Sequence, residues 1–251
     1  MSRPTLVIIP GSFSPPALYN NFAENLRSLG FDTVLEGLQS AIRKEPAPSS
    51  GMYDDAAVFH DIVEKLADEG KEIILLPHSY GGVVANESAK GLLKIDREKV
   101  GKPGGVIQIV NITTVTPPVG ETTYDQAADL GFDKVPIEGE YMVIGEEAMA
   151  KANYNDVSWA EAQELAKGHS NHSAKSFRDP LTYAAYVHVP VAWVFTEQDL
   201  TLPPDYQRKS IDLIEKESGN KVRVFNIDAG HCVTATRSKD LANLIKEIVS
   251  N

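Results

Sequence analysis

A serine, an aspartate and a histidine, each standing just past a strand-like apolar run, have the types and spacing that nucleophilic catalysis requires. The serine is Ser79, within Ile73-Ile74-Leu75-Leu76-Pro77-His78-Ser79-Tyr80-Gly81-Gly82. An apolar run leads straight into a serine with small residues, Gly81 and Gly82, close behind it, and helical patterning begins at once. That is the pattern of a nucleophile elbow, a tight strand-to-helix turn that presents a serine hydroxyl at the end of a sheet. The usual form is Gly-x-Ser-x-Gly; here Pro77 takes the first glycine position and Gly81 keeps the second. Small residues are needed because strand and helix pack closely around a strained turn. Proline departs from the pattern, since it fixes φ and removes a donor.

A serine hydroxyl is a weak nucleophile at neutral pH and needs a base, which needs an orienting carboxylate. Both stand after later strand-like runs. Residues 189–196 are followed by Glu197-Gln198-Asp199, and residues 222–227 by Asp228-Ala229-Gly230-His231. Ser79, Asp199 and His231 are therefore the expected catalytic set, in that chain order. Taken singly, each has an ordinary structural explanation: a turn serine, a capping aspartate, a core histidine. Their order behind the right strands carries the assignment. Glu197, nearer the strand end, is the rival acid, and Asp228 reads as a residue shaping the histidine turn. An oxyanion hole needs two N–H groups aimed at the developing charge. Tyr80 N–H is one expected donor. The other comes from Pro10-Gly11-Ser12-Phe13, with Ser12 the first choice and Phe13 the second, unless this is a plain Pro-Gly turn.

The elements that must position these groups follow from periodicity. Strands are expected at 5–10, 31–35, 72–76, 106–112, 189–196 and 222–227. Helices are expected at 17–29, 54–69, from Ser79 to about 93, at 203–217 and at 238–249, with Gly30 and Gly70 closing the first two. A Pro- and Ser-rich loop reaches Ser50. Near-continuous apolar strands alternating with helices predict an α/β, doubly wound, mostly parallel sheet covered on both faces. From 113 to 188 the alternation stops, with helix-like stretches such as 158–167 and no convincing strand. A structureless loop of that length is foreign to a compact domain, so this interval is expected to be an inserted helical cap. The expected organisation is one domain, 1–251, with its core in 1–112 and 189–251.

Bulk properties narrow the function. The chain has 251 residues, 42% hydrophobic and 24% charged, with a net charge of −11. Its pI is near 5.0. An acidic chain is ill matched to nucleic acid and to anionic membrane surfaces. The single cysteine, Cys232, excludes an intramolecular disulfide and a multi-cysteine metal cluster, and reads as a packed small residue. With no apolar run of membrane-spanning length, a cytoplasmic, reducing location is expected. His169 and His172 have metal-compatible spacing but no acidic or cysteine partner nearby. They read as a solvated cap turn, and no metal or cofactor is expected.

Over essentially its whole length the chain resembles the α/β-hydrolase superfamily. The residues that carry the resemblance are Pro10-Gly11-Ser12-Phe13, His78-Ser79-Tyr80-Gly81-Gly82, Asp199 and Gly230-His231. Within that superfamily it looks most like small esterases related to plant methylesterases and hydroxynitrile lyases, and their fungal relatives. Pro10 and Pro77 stand where those relatives have a histidine and a glycine.

The expected activity is a cofactor-independent serine esterase that cleaves a carboxylic ester or lactone of a small, largely apolar molecule through an acyl-enzyme. The resemblance also leaves open a lyase or cyclase using the same triad as a base, or a non-catalytic ligand receptor. Substrate-binding residues are expected at Phe13, Trp159 and Tyr183. Tyr124, Phe132, Tyr141, Met142, Met149, Tyr154, Phe177 and Tyr186 either line the same pocket or form the cap's own core. The sequence accommodates a homodimer without demanding one.

Overall fold

The computed structural model of the chain describes residues 3–42 and 48–250. The expected Pro- and Ser-rich loop lies partly outside the described residues, at 43–47. In chain order the structure runs β1 (Thr5–Ile9), α1 (Asn20–Ser28), β2 (Thr33–Leu35), α2 (Gln39–Ile42), α3 (Met52–Asp68) and β3 (Glu72–Ser79). Next come α4 (Gly81–Ser88), α5 (Lys94–Lys99) and β4 (Gly105–Thr114). An insertion follows with α6 (Thr123–Gln126), β5 (Ile137–Glu138), β6 (Tyr141–Met142), α7 (Glu146–Asn153), α8 (Trp159–Ala166) and β7 (His172–Ser173). The chain closes with β8 (Val191–Thr196), α9 (Pro204–Ser218), β9 (Arg223–Ile227), α10 (Val233–Thr236) and α11 (Ser238–Ser250).

Among the described residues a six-stranded sheet has the order β2-β1-β3-β4-β8-β9, with every neighbouring pair parallel. Alternate side chains of each inner strand enter different cores. Leu6, Ile8, Ile74, Leu76, Val110 and Ile112 pack with α1 and α11 through Phe22, Leu26, Leu241 and Ile245. Val7, Ile9, Ile73, Leu75 and Ile109 pack with α3 and α4 through Phe59, Val63 and Val84. Burial on both faces is why these strands read as continuous apolar runs instead of alternating ones. Full burial of such a side chain contributes about 1.5–3 kcal/mol. The doubly wound sheet is thus a consequence of two apolar faces, each needing a helical layer.

Strand β1 has β2 on one side and β3 on the other, so the chain reverses direction across the sheet at this point. The loops leaving β1 and β3 therefore diverge and open a crevice at the carboxyl ends of the strands. Residues 11–13 and 79–80 lie there.

The structure departs from the expected elements in four places. Strand β3 does not stop at 76 but runs through Pro77 to Ser79, with Pro77 opposite Ile9. The ladder to β4 goes from Leu75–Ile109 to His78–Ile112 and passes over Pro77, which has no N–H to give. Helix α4 ends at Ser88 instead of near 93, because Gly91 turns at φ 76° and sends Leu92 and Leu93 into the core. A separate short helix, α5, follows. Strand β4 extends to Thr114, past the expected end at 112. The insertion is not purely helical, since β5, β6 and β7 form a small antiparallel sheet. Strands of two residues are too short to display a period. Among the described residues no helix is long and apolar enough to cross a membrane.

Candidate active site

Ser79 ends β3 at φ 53°, a left-handed conformation that only a tight turn imposes on a residue with a side chain. The next residues start α4 at once. A Cβ on Gly81 would stand 2.5 Å from the Ile9 carbonyl oxygen and 2.7 Å from that of Pro10, so the helix can press against β1 only with glycine here. Ser79 Oγ lies 3.0 Å from His231 Nε2, and His231 Nδ1 lies 2.8 Å from Asp199 Oδ2. All three are buried. A carboxylate only accepts, so Nδ1 carries the proton and Nε2 is left to accept from the serine hydroxyl.

Asp199 is held from all sides. Oδ2 also accepts from Thr113 Oγ1 at 2.7 Å and Thr196 Oγ1 at 3.0 Å. Oδ1 accepts from the N–H groups of Thr201 and Leu202, each at 2.8 Å. Burial by itself would raise this carboxyl. The adjacent His231 and the donors from Thr113 and Leu202 outweigh it and hold Asp199 below the usual carboxylate range. Thr113, whose hydroxyl makes the short bond, sits at φ 41° at the end of β4. Glu197 binds Asn226 Nδ2 at the exposed edge, and Asp228 accepts from Gln198 Nε2. Among the described residues neither of those carboxylates hydrogen-bonds to His231.

On the opposite side of Ser79, the loop after β1 is pinned by the insertion. Phe13, at φ 60°, donates its N–H to His172 Nδ1 at 3.3 Å. Its carbonyl accepts from Ser170 N–H at 2.8 Å and His169 Nδ1 at 3.1 Å. Phe13 N–H, the second-choice oxyanion donor, is therefore already engaged. The N–H groups of Ser12 and Tyr80 have no hydrogen-bond acceptor among the described residues.

His169 and His172 thus do not form a solvated turn. His172 is fully buried, which pushes its ring down to about 3, and its Nε2 meets Ser176 Oγ at 2.9 Å. His169 Nε2 accepts from Tyr154 O–H at 2.7 Å. Beneath them Asp55 is also fully buried, and accepts from Ser40 N–H at 2.9 Å, Ser40 Oγ at 2.6 Å and Tyr80 O–H at 3.0 Å. Burial pushes Asp55 up to about 6 against those hydrogen bonds. Sequence reading missed Asp55, although Met52, Asp55, Ala56, Phe59 and Val63 share the apolar face of α3, and a charge in that phase was the available signal.

A cavity of about 240 Å³ opens over Ser79 and His231. Phe13, Leu130, Phe132, Ile144, Met149 and Leu200 form its apolar wall, with Ser12, Asn153, His169 and Thr201 as polar points. No Lys, Arg, Asp or Glu lines it among the described residues. Of the expected substrate contacts, Phe13 is there and Trp159 and Tyr183 are not. Trp159 begins α8 at 46% exposed, beside Lys151. Tyr183 stacks on His188 with ring centroids 5.7 Å apart. The aromatic count of the insertion could not separate cavity from packing, because both are apolar. Of the wider set only Phe132 and Met149 reach the cavity, while Tyr141, Met142, Tyr154, Phe177 and Tyr186 are packed inside. Cys232 touches the cavity, but burial pushes its thiol up to about 12 and keeps it protonated.

Comparison with known proteins places the chain in a family and agrees with its fold. A model of the alpha/beta hydrolase family matches residues 6–244. A protein of a Phoma species, named a probable hydrolase, is 33% identical over 252 residues, covering 99% of each chain. An extracellular alpha/beta-hydrolase of a Paenibacillus species is similar in structure with a TM-score of 0.75 at 19% identity, over 97% of this chain and 98% of the other. Polyneuridine aldehyde esterase is similar with a TM-score of 0.75 at 16% identity, over 98% and 99%.

Proposed function

Because the chain belongs to the alpha/beta hydrolase family, we propose that it is a serine hydrolase that cleaves a carboxylic ester or lactone of a small, uncharged, largely apolar molecule. The observation that carries this reading is the hydrogen-bonded line Ser79–His231–Asp199, facing a cavity beside two N–H groups that have no acceptor among the described residues. In this reading His231 Nε2 takes the Ser79 proton as Oγ attacks the carbonyl carbon. The negative charge that develops on the carbonyl oxygen is held by Ser12 and Tyr80 N–H. The resulting imidazolium is stabilised by ionised Asp199. His231 then protonates the leaving alcohol, and a water deprotonated by the same nitrogen releases the acid from the acyl-enzyme. The name of the Phoma relative supports the reaction class.

The wall composition supports the substrate class. An uncharged cavity admits a neutral ester without stranding a buried charge. It also favours hydrolysis over a lyase reaction that expels a small anion, since no lysine or arginine among the described lining residues would hold that anion. The lone, buried Cys232 is the ground for placing the enzyme in the reducing cytoplasm. The test is intact-mass analysis after exposure to an alkyl fluorophosphonate. One adduct on the wild type and none on Ser79→Ala is the expected result. A folded wild type that takes no adduct from this reagent or from a smaller sulfonyl fluoride overturns the reading.

A further inference from the structure

The residue before the nucleophile carries a second imidazole, fully buried and outside the Ser79–His231–Asp199 line. His78 Nε2 lies 2.9 Å from the backbone carbonyl oxygen of His231, an atom that can only accept. Nε2 therefore carries the proton and Nδ1 keeps a lone pair. Tyr19 Oη lies 2.7 Å from that Nδ1, so the phenol donates to it. The phenol oxygen in turn accepts the N–H of Gly11 at 2.8 Å. Burial keeps the His78 ring neutral, pushed down to about 3, and raises the Tyr19 phenol so that it stays protonated. Every bond of the chain Gly11–Tyr19–His78–His231 thus has one direction only.

We propose that Tyr19 and His78 are positioning residues, whose bridge from Gly11 N–H to the His231 carbonyl sets the separation of the Ser12 oxyanion donor and the catalytic imidazole. This inference rests on the hydrolase reading of the site. Gly11 immediately precedes Ser12, and a Cβ on it would stand 3.0 Å from Ser79 Cβ and 3.1 Å from His78 Nδ1. The loop, the elbow and the histidine ring therefore meet without slack. The joined backbone segments leave the sheet separately, after β1, β3 and β9, and covalent structure alone does not fix their spacing. A phenylalanine would fill the core at position 19 equally well. What the hydroxyl adds is a partner for two buried groups, in a low-dielectric setting where such chains reinforce one another.

Tyr19→Phe keeps the ring and removes the bridging oxygen. With p-nitrophenyl butyrate, kcat should fall about tenfold or more while KM stays within about threefold, the signature of an interaction that matters only in the transition state. Affinity for a butylboronic acid, whose tetrahedral adduct on Ser79 puts an oxygen in the hole, should fall in proportion. Circular dichroism should be unchanged. His78→Gln, which keeps one donor and one acceptor, should retain more kcat than His78→Leu. An unchanged kcat in folded Tyr19→Phe overturns the inference, as does a rise in KM alone. Should His78→Leu fail to fold, the Tyr19→Phe kinetics decide. A wild type inert toward both the ester and the boronic acid overturns the hydrolase reading and this inference with it. An active wild type with an unaffected variant overturns the positioning role alone.

Discussion

His231 Nδ1 stands 2.8 Å from Asp199 Oδ2, while the other oxygen of the same carboxylate accepts the Thr201 and Leu202 N–H groups. The acid is clamped by its own loop before it orients the ring, so its position does not depend on the histidine. Asp55, equally buried, is instead raised by its surroundings. Donors pull both aspartates down; at Asp199 the neighbouring His231 tips the balance below the usual range, while at Asp55, with no such charge beside it, burial wins.

Asp199→Asn should lower kcat by about 10⁴, because the neutral amide can hold the imidazole in the wrong tautomer. Glu197→Gln should stay within about twofold of wild type, since a surface change away from the site has little effect. Steady-state kinetics on both variants checks this; equal losses would show that the acid role had been placed on the wrong residue.

At position 79 the backbone and the chemistry make opposite demands. Both Ser79→Ala and Ser79→Gly should lose turnover. The glycine variant should be the more stable of the two by about 1 kcal/mol, because it accepts φ 53° without the Cβ penalty. Urea denaturation of the pair measures the difference, and an alanine variant equal to or more stable than the glycine variant would contradict a strained elbow.

The cavity wall predicts where specificity lies. Phe132→Ala should raise KM for longer-chain esters by about tenfold, or about 1.4 kcal/mol, just under the 1.5–3 kcal/mol that full burial of such a side chain contributes. Trp159→Ala and Tyr183→Ala should leave KM unchanged, since neither side chain lines the cavity. A chain-length series of p-nitrophenyl esters distinguishes these outcomes.

Stability should fall in acid with a definite slope. His78 and His172 are both pushed down to about 3, so the stability they provide is present above their ordinary pKa of 6.5 and is lost as pH falls below it. Asp55, pushed up from 3.8 to about 6, has the opposite sign: its contribution is complete below 3.8 and is lost as pH rises through 6. His169, pushed down by burial to about 4, adds to the histidine side, so three histidines act against one carboxyl and the net loss approaches about 2.7 kcal/mol per pH unit on going from pH 6 to pH 4. Asp55→Asn removes the compensating group, so its slope in that window should be about one and a half times as steep. Urea midpoints from pH 7 to pH 4 test this, and a shallower slope in the variant would reverse the sign assigned to Asp55.

What the sequence determined by itself was local or periodic. The apolar runs specified a sheet covered on both faces, because a strand buried twice must be apolar at every position. Ser79 was legible because its turn needs an apolar strand before it and Gly81 close behind. Asp199 and His231 were legible because each follows a strand end.

Tertiary structure decided which distant groups became neighbours. Glu197 and Asp199 were both candidates for His231 until Thr113, Thr201 and Leu202 were seen to clamp one of them. Phe13 N–H was available in the sequence and is taken by His172, 159 residues away, in the structure. Trp159 was as plausible a cavity residue as Phe132, and lies on the outside of α8. Hydropathy and spacing report whether a side chain is buried. Its partner is set by how the crossovers and the insertion lay separate segments over the carboxyl ends of the strands. The bridge Gly11–Tyr19–His78–His231 is of this second kind, for each member is an ordinary residue until the fold brings them within hydrogen-bonding distance.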